Sequence, residues 1–105
     1  MNTAVIIDEA SFHEECRRAL EFPDFYGRNW DAWSDCMGYL REPEARMIGV
    51  QLGRDELLHL EIPDAEALSA RAPDVVRTLI ECTAFVNRRS YLSVGEPAAI
   101  AVLFT

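Results

Sequence analysis

Phe22-Pro23-Asp24-Phe25-Tyr26-Gly27-Arg28-Asn29-Trp30-Asp31-Ala32-Trp33-Ser34-Asp35-Cys36-Met37 is the stretch on which the fold turns. Its first half is a loop dense in aromatic rings, opened by a proline that cannot continue a preceding helix. Gly27 suits a left-handed or tight backbone position, and Asn29 is a favoured N-cap for a helix beginning at Trp30. From there Trp30, Trp33, Met37 and Leu40 recur at helical spacing, a core-facing stripe on a helix expected over about residues 30–40. Asp31, Ser34, Asp35 and Gly38 fall on the opposite side. Two carboxylates one turn apart repel each other, and glycine in an exposed helix face costs up to about 1 kcal/mol against alanine. Small residues flanking acids suit close approach by another molecule. The alternative is an acidic face that is merely solvated.

Toward the N-terminus, Ser11-Phe12-His13-Glu14 has capping-box spacing and predicts a helix over about residues 12–21. Phe12, Cys16, Ala19 and Leu20 line its apolar face, and Pro23 ends it. The β-branched run Thr3–Ile7 before it reads as a first strand. Toward the C-terminus, Met47–Leu52 and Leu57–Ile62 look extended, and Gly53-Arg54-Asp55-Glu56 joins them as a hairpin, although the second run also suits a turn of helix. Asp64 opens a short helix to about Ala70, and a longer one runs from Asp74 to about Arg89. The longer helix is expected to bury Val75, Val76, Leu79, Ile80, Thr83, Phe85 and Val86. Arg88 and Arg89 stand at its end, where the helix dipole favours cations. Ala98–Phe104 is nearly unbroken apolar, as in a central parallel strand covered on both faces. The order β-α-α-β-α-α-β predicts one α/β domain over residues 1–105. Its sheet is small, mostly parallel and three-stranded, with room for an extra hairpin strand, flanked by about four helices.

The 105 residues carry 18 acidic against 10 basic side chains, a formal net charge of −8. That balance excludes nucleic acid as a direct ligand and disfavours an anionic membrane, and it suits a basic partner. No run approaches the ~20 apolar residues of a membrane span, and the N-terminal segment lacks the basic start and long apolar core of a secretion signal. Cys16, Cys36 and Cys82 are odd in number and show no CxxC spacing, so free thiols in a reducing cytoplasm are expected. His13-x-x-Cys16 has no second pair to complete a metal site, and no Gly-rich phosphate loop or nucleophile elbow occurs. No cofactor is expected. Exposed aspartates one turn apart lack the burial that splits two carboxylate pKa values for acid–base catalysis, so the reading is a binding protein and not an enzyme.

The loop–helix stretch resembles the signature of the barstar family, a Pro-acidic-aromatic-Tyr-Gly-x-Asn-x-Asp-Ala-x-x-Asp-Cys segment. The resemblance implies a barstar-like fold and a cytoplasmic inhibitor that binds a small secreted bacterial ribonuclease one to one at its basic active-site cleft. It implies that Asp35 enters that cleft at a substrate-phosphate position and that Asp31 makes a second acidic contact. Phe25 and Tyr26 would form an aromatic contact, with Gly27 and Asn29 holding the loop against the helix. Trp30, Ser34 and Gly38 complete the expected partner-binding face, Glu42 its rim, and Glu81 stands nearest the family's acid on the final helix. The chain departs from the family's type member in having Phe25 for a tyrosine, Ser34 for a tryptophan and Gly38 for a threonine. Its Pro43–Asp64 segment is also longer. The same scaffold is open to another use, as an immunity or interaction protein for a different toxin or another basic partner.

Overall fold

A computed structural model describes residues 1–105. Asp8, not Ser11, opens the first helix, α1 (Glu9–Leu20). Its carboxylate accepts from the Ser11 N–H at 2.9 Å, while the Ser11 hydroxyl accepts from the Asp8 N–H at 3.0 Å. Ser11 thus works as the returning member of a capping box, one turn further along than its sequence context suggests. The helix stops at Leu20, where Glu21 turns left-handed (φ 53°), two residues before Pro23. α2 (Trp30–Met37) closes at Gly38, short of the expected Leu40.

Two further helices complete the set, α3 (Ala65–Arg71) and α4 (Pro73–Val94). Pro73 sits in the first turn of α4, where its missing N–H leaves no helical bond unmade. α4 does not end near Arg89. It runs on to Val94 and stops at left-handed Gly95 (φ 66°), whose N–H donates to the Tyr91 carbonyl at 3.2 Å. Arg88 and Arg89 therefore lie within the helix and not at its terminus.

The sheet is parallel but has two strands, not three. β1 (Leu58–Ile62) pairs with β2 (Ile100–Phe104), Leu58 opposite Ile100 and Ile62 opposite Phe104. The expected first strand is absent because its backbone groups are engaged elsewhere. Thr3–Val5 forms a 3-10 turn, and the Arg71 guanidinium takes the carbonyls of Thr3 (2.6 Å) and Ile6 (2.8 Å). The Ile7 N–H goes to the Ser11 hydroxyl at 2.8 Å. A ladder needs those same groups.

The hairpin also fails, for the same reason. Gly49 donates to the Leu20 carbonyl (3.0 Å) and Leu52 to the Leu40 carbonyl (2.7 Å), so Met47–Leu52 sews together chain that leaves α1 and α2. Gly53–Glu56 does turn, but Arg41 reaches beneath it to the carbonyls of Gly53, Glu56, Pro97 and Ala98. β2 has β1 along one edge alone, so it is not a central strand, and Phe104 is exposed, so the run is not covered throughout.

One cluster of buried apolar side chains joins the elements, with Ile6, Phe12, Trp33, Leu60, Leu79 and Ile100 among its members. On α4 the core takes Val75, Leu79, Thr83 and Val86, whereas Ile80 and Phe85 are exposed, contrary to the expected face. All three cysteines are free thiols. No helix is long and apolar enough to cross a membrane.

Candidate functional site

The aromatic loop is shaped by which of its rings turns inward. The Tyr26 N–H donates to the Pro23 carbonyl at 2.9 Å, closing a tight turn. Tyr26 then packs against Phe22 with ring centroids 4.7 Å apart, and only 3% of it is exposed. Its hydroxyl lies 2.5 Å from Nδ1 of His13, a residue with no exposure at all. Burial pushes the phenol pKa up and the imidazole pKa down, the latter opposed in part by Glu9. Both groups are thereby held neutral, so the Tyr26 hydroxyl donates to Nδ1, and Nε2 is left 3.8 Å from the Glu9 carboxylate.

Turning Tyr26 inward leaves Phe25 outside, 74% exposed. The expected pair of loop contacts thus divides, with Phe25 at the surface and Tyr26 in the core. Gly27 is not left-handed; Arg28 takes that conformation instead (φ 51°) and its guanidinium pairs with Glu14 on α1. Gly27 is needed for close approach, since a Cβ there would stand 3.3 Å from Nδ2 of Asn29 and 3.5 Å from Cβ of Ala32. Asn29 caps α2, its side-chain oxygen accepting from the Ala32 N–H at 2.7 Å. Loop and helix are locked together.

α2 buries Trp33, Cys36 and Met37 on one side and leaves Asp31 and Asp35 exposed on the other. Trp30 is half-buried, stacked on Phe12 with centroids 4.8 Å apart. Ser34 does not belong to the open face. It is 8% exposed, beneath α4.

Trp30, Asp31, Ser34 and Asp35 form one wall of a groove of about 410 Å³, and Cys82, Phe85 and Arg89 of α4 form the other. Asp35 also borders a neighbouring cleft of about 350 Å³, together with Gly38, Glu42 and Arg89. Glu42 is exposed at the start of a 3-10 turn over Pro43–Ala45. Glu81 is exposed beside Cys82 but lines neither groove, and neither does Phe25.

The site contains little with which to do chemistry. Burial pushes the Cys36 thiol up to about 11, and the Asp35 charge adds to the shift, so the group stays protonated and unreactive. Cys16 is pushed up to about 12, again mainly by burial. No three His, Cys, Asp or Glu side chains converge to hold a metal ion.

Cys82, Phe85 and Arg89 were not singled out as site residues in the sequence. Their signal was present, since i, i+3 and i+7 place them on one face of a helix. Phe85 was assigned to the core and Arg89 to a helix terminus, which concealed it.

The surface thus carries exposed carboxylates on a braced helix, an exposed ring on the loop before that helix, and grooves bordering Asp35. Residues 1–100 match the family model described as Barstar (barnase inhibitor), and the chain belongs to the barstar family. The family is thus one described by inhibition of a ribonuclease and not by catalysis. No curated protein matches the chain.

Proposed function

We propose that this chain is a stoichiometric inhibitor of a small secreted bacterial ribonuclease, working in the cytoplasm of the cell that makes the enzyme. The observation that carries the reading is the disposition of Asp31 and Asp35. Both are exposed, one turn apart, on a helix whose other face is fixed by Trp33 (0% exposed), Met37 (1%) and Cys36 (2%). A ribonuclease cleft must hold phosphate and is therefore lined with arginine, lysine or histidine. Carboxylates held rigidly at the right spacing can take the phosphate positions and exclude RNA by occupancy.

Asp35 is the central contact in this reading because it borders both grooves, and Asp31 supplies the second charge. Phe25 adds an apolar contact on the loop, and Trp30 offers a ring edge at the groove wall. Glu42 and Glu81 extend the acidic rim. Tyr26 and Ser34 shape this surface from beneath, Gly27 and Asn29 hold the loop against the helix at the surface, and Gly38 keeps one end of α2 free of a side chain.

The formal charge of −8 draws a basic enzyme in, an attraction screened over a Debye length of about 8 Å at physiological salt. Titration into barnase and a panel of other small basic ribonucleases, with RNA cleavage as the readout, tests the proposal. The expected result is loss of activity at one equivalent, with association slowed by salt. No inhibition of any member at low salt rejects it.

A further inference from the structure

We infer that Arg89 of α4 is a specificity-determining residue of the acidic face, a resident cation that discriminates among basic partners. The inference rests on the inhibitor reading and adds to it a contribution of opposite sign. Arg89 lines both grooves that flank Asp35. Its position is built by three contacts. Nη2 donates to the Ser34 carbonyl at 3.3 Å, and the guanidinium carbon stands 5.4 Å from the centroid of the Phe85 ring. The third is with Gly38, where a Cβ would lie only 2.1 Å from Nη2. The guanidinium therefore rests against bare backbone at the C-terminal end of α2, the negative end of that helix dipole.

Arg89 makes no ion pair, although Asp35 borders the same grooves. Arg41, nearby, is different: it is held by four carbonyls, lies 3.7 Å from Glu96 and has a side chain only 7% exposed. Arg41 is internal structure, whereas Arg89 is an exposed charge without a carboxylate partner. A partner that seats a cation on Asp35 brings it next to this guanidinium. A uniformly basic surface is penalised there. A partner with a carbonyl or carboxylate opposite Arg89 is not. Gly38 and Arg89 form one device, since the missing Cβ is what admits the guanidinium.

The test measures dissociation constants at low salt for every ribonuclease in the panel, barnase included, that the wild-type protein inhibits. Against the member with the most basic cleft rim, Arg89→Gln is expected to bind about fivefold to tenfold more tightly, the scale of one like-charge contact at an interface rim. Arg88→Gln makes the same change in net charge at an exposed residue that lines neither groove, and is expected to shift binding less than about twofold. Gly38→Ala displaces the flexible guanidinium, and its effect is expected to vanish in the Arg89→Gln background. Equal effects at Arg88 and Arg89, or weaker binding by Arg89→Gln, overturn the inference while leaving inhibition intact. Absence of inhibition by the wild-type chain overturns the functional reading and this inference with it.

Discussion

The inward knot of His13 and Tyr26 and the outward face of Asp31 and Asp35 meet at one loop–helix stretch, but they are governed by different physics. In the knot, the Tyr26 hydroxyl donates to Nδ1 of His13, while Nε2 of the same ring is buried without a hydrogen-bond partner. On the face, two like charges stand side by side with no basic residue of α2 to relieve them. The knot gains from folding. The face, on the proposed reading, gains from a partner. The contrast separates two roles within one family signature: part of the motif builds the platform, and part, on the proposed reading, meets the partner.

Substitutions can break the comparison at either end. The largest expected effect is that of Tyr26→Ala, which empties a buried ring site and strands His13. It should destabilise the fold by about 3–5 kcal/mol in urea unfolding. Tyr26→Phe keeps the ring and removes only the hydroxyl, so the loss should be about 1–2 kcal/mol, with inhibition of a bound ribonuclease little changed. A large loss of affinity without destabilisation would place Tyr26 in the interface and dissolve the contrast.

Acid should weaken the knot before it weakens the rest. The His13 pKa is depressed below its ordinary 6.5 by burial, with Glu9 opposing. Below pH 6.5 the unfolded chain binds a proton that the folded chain refuses, so stability complete above that pH falls on acidification toward the folded value. The limiting slope is about 1.4 kcal/mol per pH unit. His13→Gln should flatten the fall of the unfolding midpoint on acidification below about pH 6.5. Glu15, whose pKa is lowered chiefly by its bond to Arg18, adds its own loss only below the ordinary 4.5, as pH falls toward its lowered folded value.

Smaller effects sharpen the boundary between the two regions. Asn29→Ala removes the α2 cap and should cost about 1 kcal/mol of stability, measured by thermal or urea unfolding. Phe25→Ala should leave stability within about 0.5 kcal/mol, because the ring is 74% exposed, while weakening ribonuclease binding measured by titration.

The helices were legible in the sequence because their apolar periodicity survives in the structure: Trp33, Met37 and Leu40 are buried, as are Phe12, Cys16 and Leu20. The strands were less so. Thr3–Ile7 has the β-branched composition of a strand, but Arg71, more than sixty residues on, competes for its carbonyls, and no local pattern announces that. Met47–Leu52 is likewise claimed by the ends of α1 and α2. The pair of aspartates was readable from spacing alone. Which of Phe25 and Tyr26 faces solvent was not, since a loop has no periodicity and the deciding partner, His13, lies on another element. Arg89 was hidden by the expected end of α4: it lies within a helix that continues to Val94, and no local pattern announces that its guanidinium meets Gly38 at the end of another helix.

The most direct test of the division between platform and face is Asp35→Ala, measured twice on the same protein. One measurement is the affinity for a ribonuclease that the wild-type chain inhibits; the other is the free energy of unfolding in urea. Binding should weaken by about 2–5 kcal/mol, the usual cost of removing one partner from a desolvated charge pair, while stability stays within about 0.5 kcal/mol. Unchanged binding, or a loss of binding matched by an equal loss of stability, would contradict the assignment of Asp35 to the partner.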